Sequence, residues 1–364
     1  MKILLICNDS NTIINFRKDL ILFLKSKSVD VFVIAGDDKR KKDIDKLGVS
    51  FYPLHFSNRS INPFKTIRLK KEIKRIISLI KPSIVFTFQI KPNIFGTLAA
   101  KECEIKKIYS MVEGLGDPFQ GNSISQKIIR FIVCKLYKKA FKYSKTIFFL
   151  NNDDKNEFVT RKIISEDKTI LIPSIGINVK EYNYIPIFNY NKVVMFARLI
   201  KNKGIFDFCM VAKKVSETRR DIKFELYGEE SQITKDDLKY YISNGYINYL
   251  GVTNNVNKIM SDSTIIVSTS FREGFSKIIL EAMACGRPVI AYNVVGNKDS
   301  VIDGKTGCLI NKNDIDGFAN KIIQIIDNKE MLNAMGNCAR EICRKKYDSN
   351  IVNSMIFDII IKNG

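Results

Sequence analysis

The sequence has 364 residues but one histidine, no C-x-x-C pair among eight cysteines, and no apolar run of about 18 residues. Each shortage excludes something. One histidine, His55, cannot build a His-based zinc site, an H-E-x-x-H helix or a Cys/Cys/His/His finger. A Ser-His-Asp arrangement would have to use His55 itself; it follows the short apolar run Phe51–Leu54 and is expected to be a turn or surface residue. The cysteines are scattered among apolar neighbours, as small core side chains are, which fits a reducing cytoplasm. The first apolar run, Ile3–Cys7, is too short for the core of a signal peptide, and nothing in the chain is long enough to span a bilayer.

What is present is a folded chain with 45% hydrophobic and 27% charged residues and a net charge of +21. The length suits two domains, each with its own core. The charge is uneven. Residues 1–180 hold 34 Lys/Arg against 17 Asp/Glu, a net of +17, and residues 181–364 hold 25 against 21, a net of +4. Lys65–Lys81 has Glu72 as its one acid, and Ser123–Thr146 has none beside Lys127, Arg130, Lys135, Lys138, Lys139, Lys142 and Lys145. At helical spacing, Ile129, Ile132, Val133, Leu136 and Ala140 fall on one side of the second stretch and the basic residues on the other. A solvated helix face in a Lys-rich chain and a helix drawn to anionic lipid both account for this pattern. No nucleic-acid-binding signature accompanies the charge, and no nucleic-acid partner is expected.

Short β-branched and aromatic runs alternate with longer amphipathic ones. The predicted strands of the first half are Lys2–Cys7, Val31–Ala35, Ser50–Leu54, Ile84–Phe88, Lys107–Met111 and Thr146–Leu150. In the second half they are Val193–Ala197, Lys223–Tyr227, Ile247–Leu250, Thr264–Thr269, Pro288–Tyr292 and Cys308–Ile310. Helical patterns such as Arg17–Ser26, Lys65–Ile80, Phe206–Val215 and Lys277–Cys285 lie between them, as in βαβ units with parallel sheets. The pattern restarts near Val193, so the predicted domains are 1–180 and 181–345, with the C-terminal helix 346–364 returning to the first.

Ligands of such sheets bind at the carboxyl ends of strands. Arg198 leaves one strand end, and Lys203-Gly204 stands where the next helix should begin, an arrangement that suits a diphosphate. Each charge-assisted hydrogen bond there would contribute roughly 1.5–3 kcal/mol. A second strand ends in Ser270-Phe271-Arg272-Glu273-Gly274-Phe275-Ser276, followed by Glu281 in a mostly apolar helix with no obvious partner. A buried carboxylate needs donors, and sugar hydroxyls are donors. A third strand leads into the turn-rich stretches Tyr292–Ser300 and Asp303–Gly307.

Taken together, these residues resemble the family 4 glycosyltransferases. The resemblance rests on Arg198 with Lys203-Gly204, on Glu273-Gly274-Phe275 with Glu281-Ala282-Met283-Ala284-Cys285-Gly286 and Pro288-Val289, and on Asp303-Gly304-Lys305-Thr306-Gly307. Ser57–Phe64, Val112-Glu113-Gly114-Leu115-Gly116 and Ser174-Ile175-Gly176-Ile177-Asn178 look like a bacterial subgroup that adds N-acetylhexosamines or related sugars to undecaprenyl-diphosphate-linked glycans in surface polysaccharide or glycoprotein glycan assembly.

The resemblance implies an α/β GT-B fold, two doubly wound Rossmann-like domains facing a cleft, the first meeting acceptor and membrane and the second binding the nucleotide sugar. It implies a retaining transferase, peripheral on the inner face of the bacterial membrane, with no metal or other cofactor. Arg198 and Lys203 would hold the donor diphosphate, Glu273 the transferred sugar and Glu281 the ribose hydroxyls. Backbone N–H groups of Gly274, Phe275 and Ser276 would line the sugar and phosphate, and the base would lie near Gly228 and Val252. Many relatives carry a histidine in the first-domain loop that faces the donor sugar. Glu113 stands there instead and is the candidate for its place. The loop after the first strand, Cys7–Thr12, lacks the family's glycines, leaving Ser10 or Asn11 to supply a backbone contact. Two other functions stay open at this point, a nucleotide-sugar epimerase of the same fold and a basic scaffold or nucleic-acid-binding protein with an inactive transferase half.

Overall fold

The computed structural model describes residues 1–54, 63–119, 121, 123–187 and 191–362. His55 and the stretch 57–62 of the subgroup motif lie outside them. The chain divides into two compact units, Met1–Gly176 with Ser349–Gly364, and Ile177–Asp348.

The first unit holds β1 (Lys2–Ile6), β2 (Asp30–Ala35), β3 (Ser50–Pro53), β4 (Ile84–Phe88), β5 (Lys107–Val112), β6 (Thr146–Phe149) and β7 (Thr169–Leu171). All pairs are parallel, in the order β3-β2-β1-β4-β5-β6-β7. Strand β7 was not expected from the sequence. It has three residues at the sheet edge, none of them buried, so it carries no apolar signature. The second unit holds β8 (Lys192–Phe196), β9 (Lys223–Tyr227), β10 (Asn248–Tyr249), β11 (Ile265–Ser268), β12 (Val289–Tyr292) and β13 (Gly307–Ile310), again parallel, in the order β10-β9-β8-β11-β12-β13.

Central strands such as β4, β11 and β12 are buried at every residue, because helices cover both faces of a parallel sheet. Alternation along the strands divides the second unit's core. Val193, Met195, Ile265 and Val267 join one cluster, while Val194 and Ile266 join the other. In each unit the strand order reverses once, between β1 and β4 and between β8 and β11. Such a reversal opens a crevice at the carboxyl ends of the strands, where ligands of doubly wound sheets bind.

Helix Ser349–Phe357 belongs to the first unit, where Phe357 meets Phe23 edge-on at 6.0 Å. Among the described residues no helix is long and apolar enough to cross a membrane.

Candidate active site

In the second unit the loops at the β8/β11 reversal bring two of the predicted residues, Lys203 and Glu273, into contact. Arg198 is exposed just past β8. The chain then makes a 3-10 turn, Lys201–Lys203, and enters helix Ile205–Ser216 through Gly204 at φ +64°. Any Cβ at Gly204 would strike the Thr269 carbonyl oxygen, so glycine is required on both conformational and steric grounds. The Thr269 hydroxyl donates to the Gly204 carbonyl at 2.8 Å, and the Phe271 N–H donates to the Asn202 carbonyl at 2.9 Å. These bonds lace the β8 and β11 loops together and set the Lys203 ammonium against the Glu273 carboxylate as an ion pair across the reversal.

A third loop supports Glu273. Its N–H donates to the Val295 carbonyl at 3.0 Å, and Gly296 passes so close that a Cβ there would lie 2.6 Å from the Glu273 Cβ. Ser276 then stands at the N-cap position of helix Lys277–Ala284 without a side-chain capping bond. The Phe275 ring packs toward the core, 6.0 Å from the Tyr347 ring.

Glu281 is buried in that helix, but the expectation that it lacks a partner is corrected. The Tyr182 hydroxyl donates to its Oε1 at 2.8 Å, and Lys277, one turn earlier, pairs with the same oxygen. Burial and the adjacent Glu281 charge raise the Tyr182 phenol far above its ordinary range, so it stays a donor. Gly228 follows β9, where its N–H donates to the Gly251 carbonyl at 2.9 Å. Leu250 and Val252, past β10, are exposed apolar side chains beside it.

The first unit's crevice is built differently. Asn8, after β1, donates its N–H to the Gln89 Oε1 at 2.9 Å, and Gln89, at φ +69° after β4, donates from Nε2 to the Thr12 hydroxyl at 3.0 Å. Ser10 is fully buried, its hydroxyl bound to Asp37 and its N–H 3.4 Å from the same carboxylate. That placement removes Ser10 as a ligand contact. Asn11 is exposed, 3.4 Å from an Arg40 nitrogen. Glu113, just past β5, is ion-paired with Arg17, a residue that the sequence reading had not singled out. Its signal was present: Arg17 occupies the same helical stripe as Leu20, Ile21 and Leu24, where an apolar residue is expected.

Helix Ile124–Phe141 starts at a capping box, in which Ser123 and Gln126 satisfy each other's backbone N–H groups. It buries Val133, Tyr137, Ala140 and Phe141. The expected apolar face holds at Ile129, Val133, Leu136 and Ala140 and is corrected at Ile132. Ile132 is exposed, and so are Ile124 at 78%, Ile128 at 55% and Phe131 at 59%, among the exposed Lys127, Lys135, Lys138, Lys139 and Lys142. Lys135 lies 4.4 Å from the Phe131 ring centroid. Arg130 is not a free surface cation, since it donates to the Pro118 and Gly121 carbonyls at 3.0 and 2.6 Å and ties down that loop.

Residues 186–342 match the family model described as glycosyl transferases group 1, and residues 2–151 match the glycosyl transferase 4-like model. The chain is 26% identical over its whole length, and over the whole length of the relative, to the N,N'-diacetylbacillosaminyl-diphospho-undecaprenol alpha-1,3-N-acetylgalactosaminyltransferase of Campylobacter jejuni. It is 28% identical to an Escherichia coli UDP-Gal:alpha-D-GlcNAc-diphosphoundecaprenol alpha-1,3-galactosyltransferase, covering 76% of each chain. Among solved structures, Anabaena HepE in complex with UDP and glucose superposes with a TM-score of 0.82 over the full length of both chains at 17% identity, which places the fold as GT-B. These relatives are transferases, and the epimerase reading is not favoured.

Proposed function

The chain belongs to the group 1 glycosyltransferases, and from that premise we propose that it moves a sugar, an N-acetylhexosamine, from a UDP-sugar to a polyprenyl-diphosphate-linked acceptor. The transfer retains the anomeric configuration and needs no metal. The observation that carries this reading is the Lys203–Glu273 pair across the β8/β11 reversal, with Arg198 at the adjoining strand end. Lys203 and Arg198 hold the diphosphate, and a bound diphosphate competes with Glu273 for Lys203, freeing the carboxylate for the sugar hydroxyls. Glu281 accepts from the ribose hydroxyls while Tyr182 and Lys277 hold it in place.

In the reaction the bond between the anomeric carbon and the β-phosphate oxygen breaks, and its electron pair leaves with UDP. The acceptor hydroxyl oxygen bonds to the same face of that carbon, and its proton passes to the departing phosphate oxygen. Two cations at the phosphate, Arg198 and Lys203, stabilise the charge as it develops, the electrostatic contribution a metal supplies elsewhere. Glu113 is the first unit's carboxylate for the transferred sugar. The relatives' acceptors support the lipid-linked class: those two transferases are named for undecaprenol diphosphates.

Helix Ile124–Phe141 rests on an anionic membrane surface at the cytoplasmic face. Its mixed face supports this over simple solvation, because exposed Ile124, Ile128, Phe131 and Ile132 sit among lysines, the composition of an interfacial helix. The test of the whole reading is a UDP-sugar panel offered with a polyprenyl-diphosphate-linked monosaccharide, the product linkage read by NMR. One UDP-sugar should give an α-linked lipid-borne product; no transfer from any member, or an inverted linkage, would refute it.

A further inference from the structure

We propose that Arg17 is a positioning residue for the reaction: from inside the first unit it fixes the direction of the Glu113 carboxylate. The inference rests on the reading of Glu113 as a residue of the transfer. The backbone supplies the first argument. The helix after β1 is interrupted by a π-helical stretch, Ile13–Arg17, before helix Lys18–Ser26 resumes. A π turn inserts an extra residue into the helical repeat and is frequent at functional sites. Three other such stretches, Pro92–Gly96, Cys343–Tyr347 and Asp358–Lys362, occur among the described residues, and what sets this one apart is the buried charge at its end. Here the π stretch ends at Arg17, which faces inward on the stripe of Leu20, Ile21 and Leu24.

Burial supplies the second. The Arg17 side chain is 1% exposed, with its guanidinium carbon 4.2 Å from the Phe88 ring centroid and its Nη1 donating to the Phe16 carbonyl at 3.0 Å. Neither its Nε nor its Nη2 makes a hydrogen bond, and Nη2 meets Glu113 only as the ion pair. Cys7 lies beside it, but burial pushes that thiol up to about 12, so it is neutral and offers no compensating charge. Glu113 does offer one, through the ion pair. A buried cation is strongly unfavourable unless paired, so the two groups hold each other in one arrangement.

The geometry also separates their roles. Arg17 is closed off from solvent and touches no substrate. Glu113 is 16% exposed, so its carboxylate is anchored on the inner side and open on the other. Phe88, stacked on the guanidinium, precedes Gln89, whose left-handed backbone is the strained link at the same crevice. The pairing thus holds the Glu113 carboxylate from its buried side.

A double-mutant cycle tests this, with Arg17→Met, Arg17→Lys, Glu113→Gln and the two double variants assayed with the UDP-sugar that the panel selects. Only preparations with a native circular dichroism spectrum at the assay temperature are compared. Arg17→Met should lower kcat at least about tenfold with the donor KM within about twofold, the signature of an interaction used in the transition state. Arg17→Lys should fall between wild type and Arg17→Met. In the Glu113→Gln background either Arg17 change should cost less than about threefold more, since coupled residues are not additive. Equal kcat losses in both backgrounds, or a loss confined to KM, would overturn the positioning role while leaving Glu113 in the reaction. Wild-type kcat in Glu113→Gln would remove Glu113 from the reaction and the proposal with it. If Arg17→Met does not fold, the Arg17→Lys cycle decides by the same criterion.

Discussion

Each unit carries one ion pair at the crevice where its strand order reverses, and the two pairs differ in burial. Lys203 and Glu273 are 26% and 16% exposed, whereas Arg17 is 1% exposed against the 16% of Glu113. A cation that water reaches can exchange its partner for a ligand at little cost, because solvent already screens the pair. A cation sealed inside cannot, since losing its partner leaves an uncompensated charge. The second unit thus holds an exchangeable cation, which the proposed function assigns to a diphosphate, and the first holds a fixed cation paired with one of its own carboxylates.

The sharpest way to break this contrast is at Lys203. Lys203→Ala should lower kcat/KM by about 10³-fold, the scale for removing a preorganised charge at a developing oxyanion. Thermal unfolding should stay close to wild type, because the pair it removes is partly solvated. Urea unfolding then compares the pairs themselves. Glu113→Ala should destabilise the protein by about 3 kcal/mol by stranding buried Arg17, whereas Glu273→Ala should cost about 1 kcal/mol or less. Equal costs would erase the distinction.

The units also differ at their surfaces, given the +17 carried by residues 1–180. The protein should sediment with vesicles containing anionic lipid and be released by high salt, and each of Lys135, Lys138, Lys139 and Lys142 changed to Gln should weaken binding by about 1 kcal/mol. Ile128→Ser and Phe131→Ser should weaken it even in high salt, which a purely electrostatic contact would not show. The smallest effect is expected at Tyr182→Phe, which removes one of two donors to Glu281 and should change the donor KM by about threefold with kcat unchanged.

The strands were legible because buried parallel strands read as β-branched runs, and the reversal-point residues because Gly204, Glu273 and Glu281 follow such runs at fixed places. The pairings were not. Tyr182 and Glu281 lie 99 residues apart, and Glu113 meets Arg17 through two separate strand–helix connections, so nothing local announces either contact. Lys277 was legible in principle, one helical turn before Glu281, yet an i,i+4 pair is usually a surface feature and this one has a buried carboxylate. Ile132 is exposed although it shares the helical stripe of Ile129, Val133 and Leu136, because periodicity marks a face and not the width of what covers it.

The claim that the second unit's crevice is the nucleotide site is tested most directly by titrating UDP into the protein calorimetrically. Saturable binding is expected, weakened at least about tenfold in both Lys203→Ala and Glu281→Ala, since each removes a charged hydrogen-bonding partner. UDP binding undiminished in both variants would contradict it.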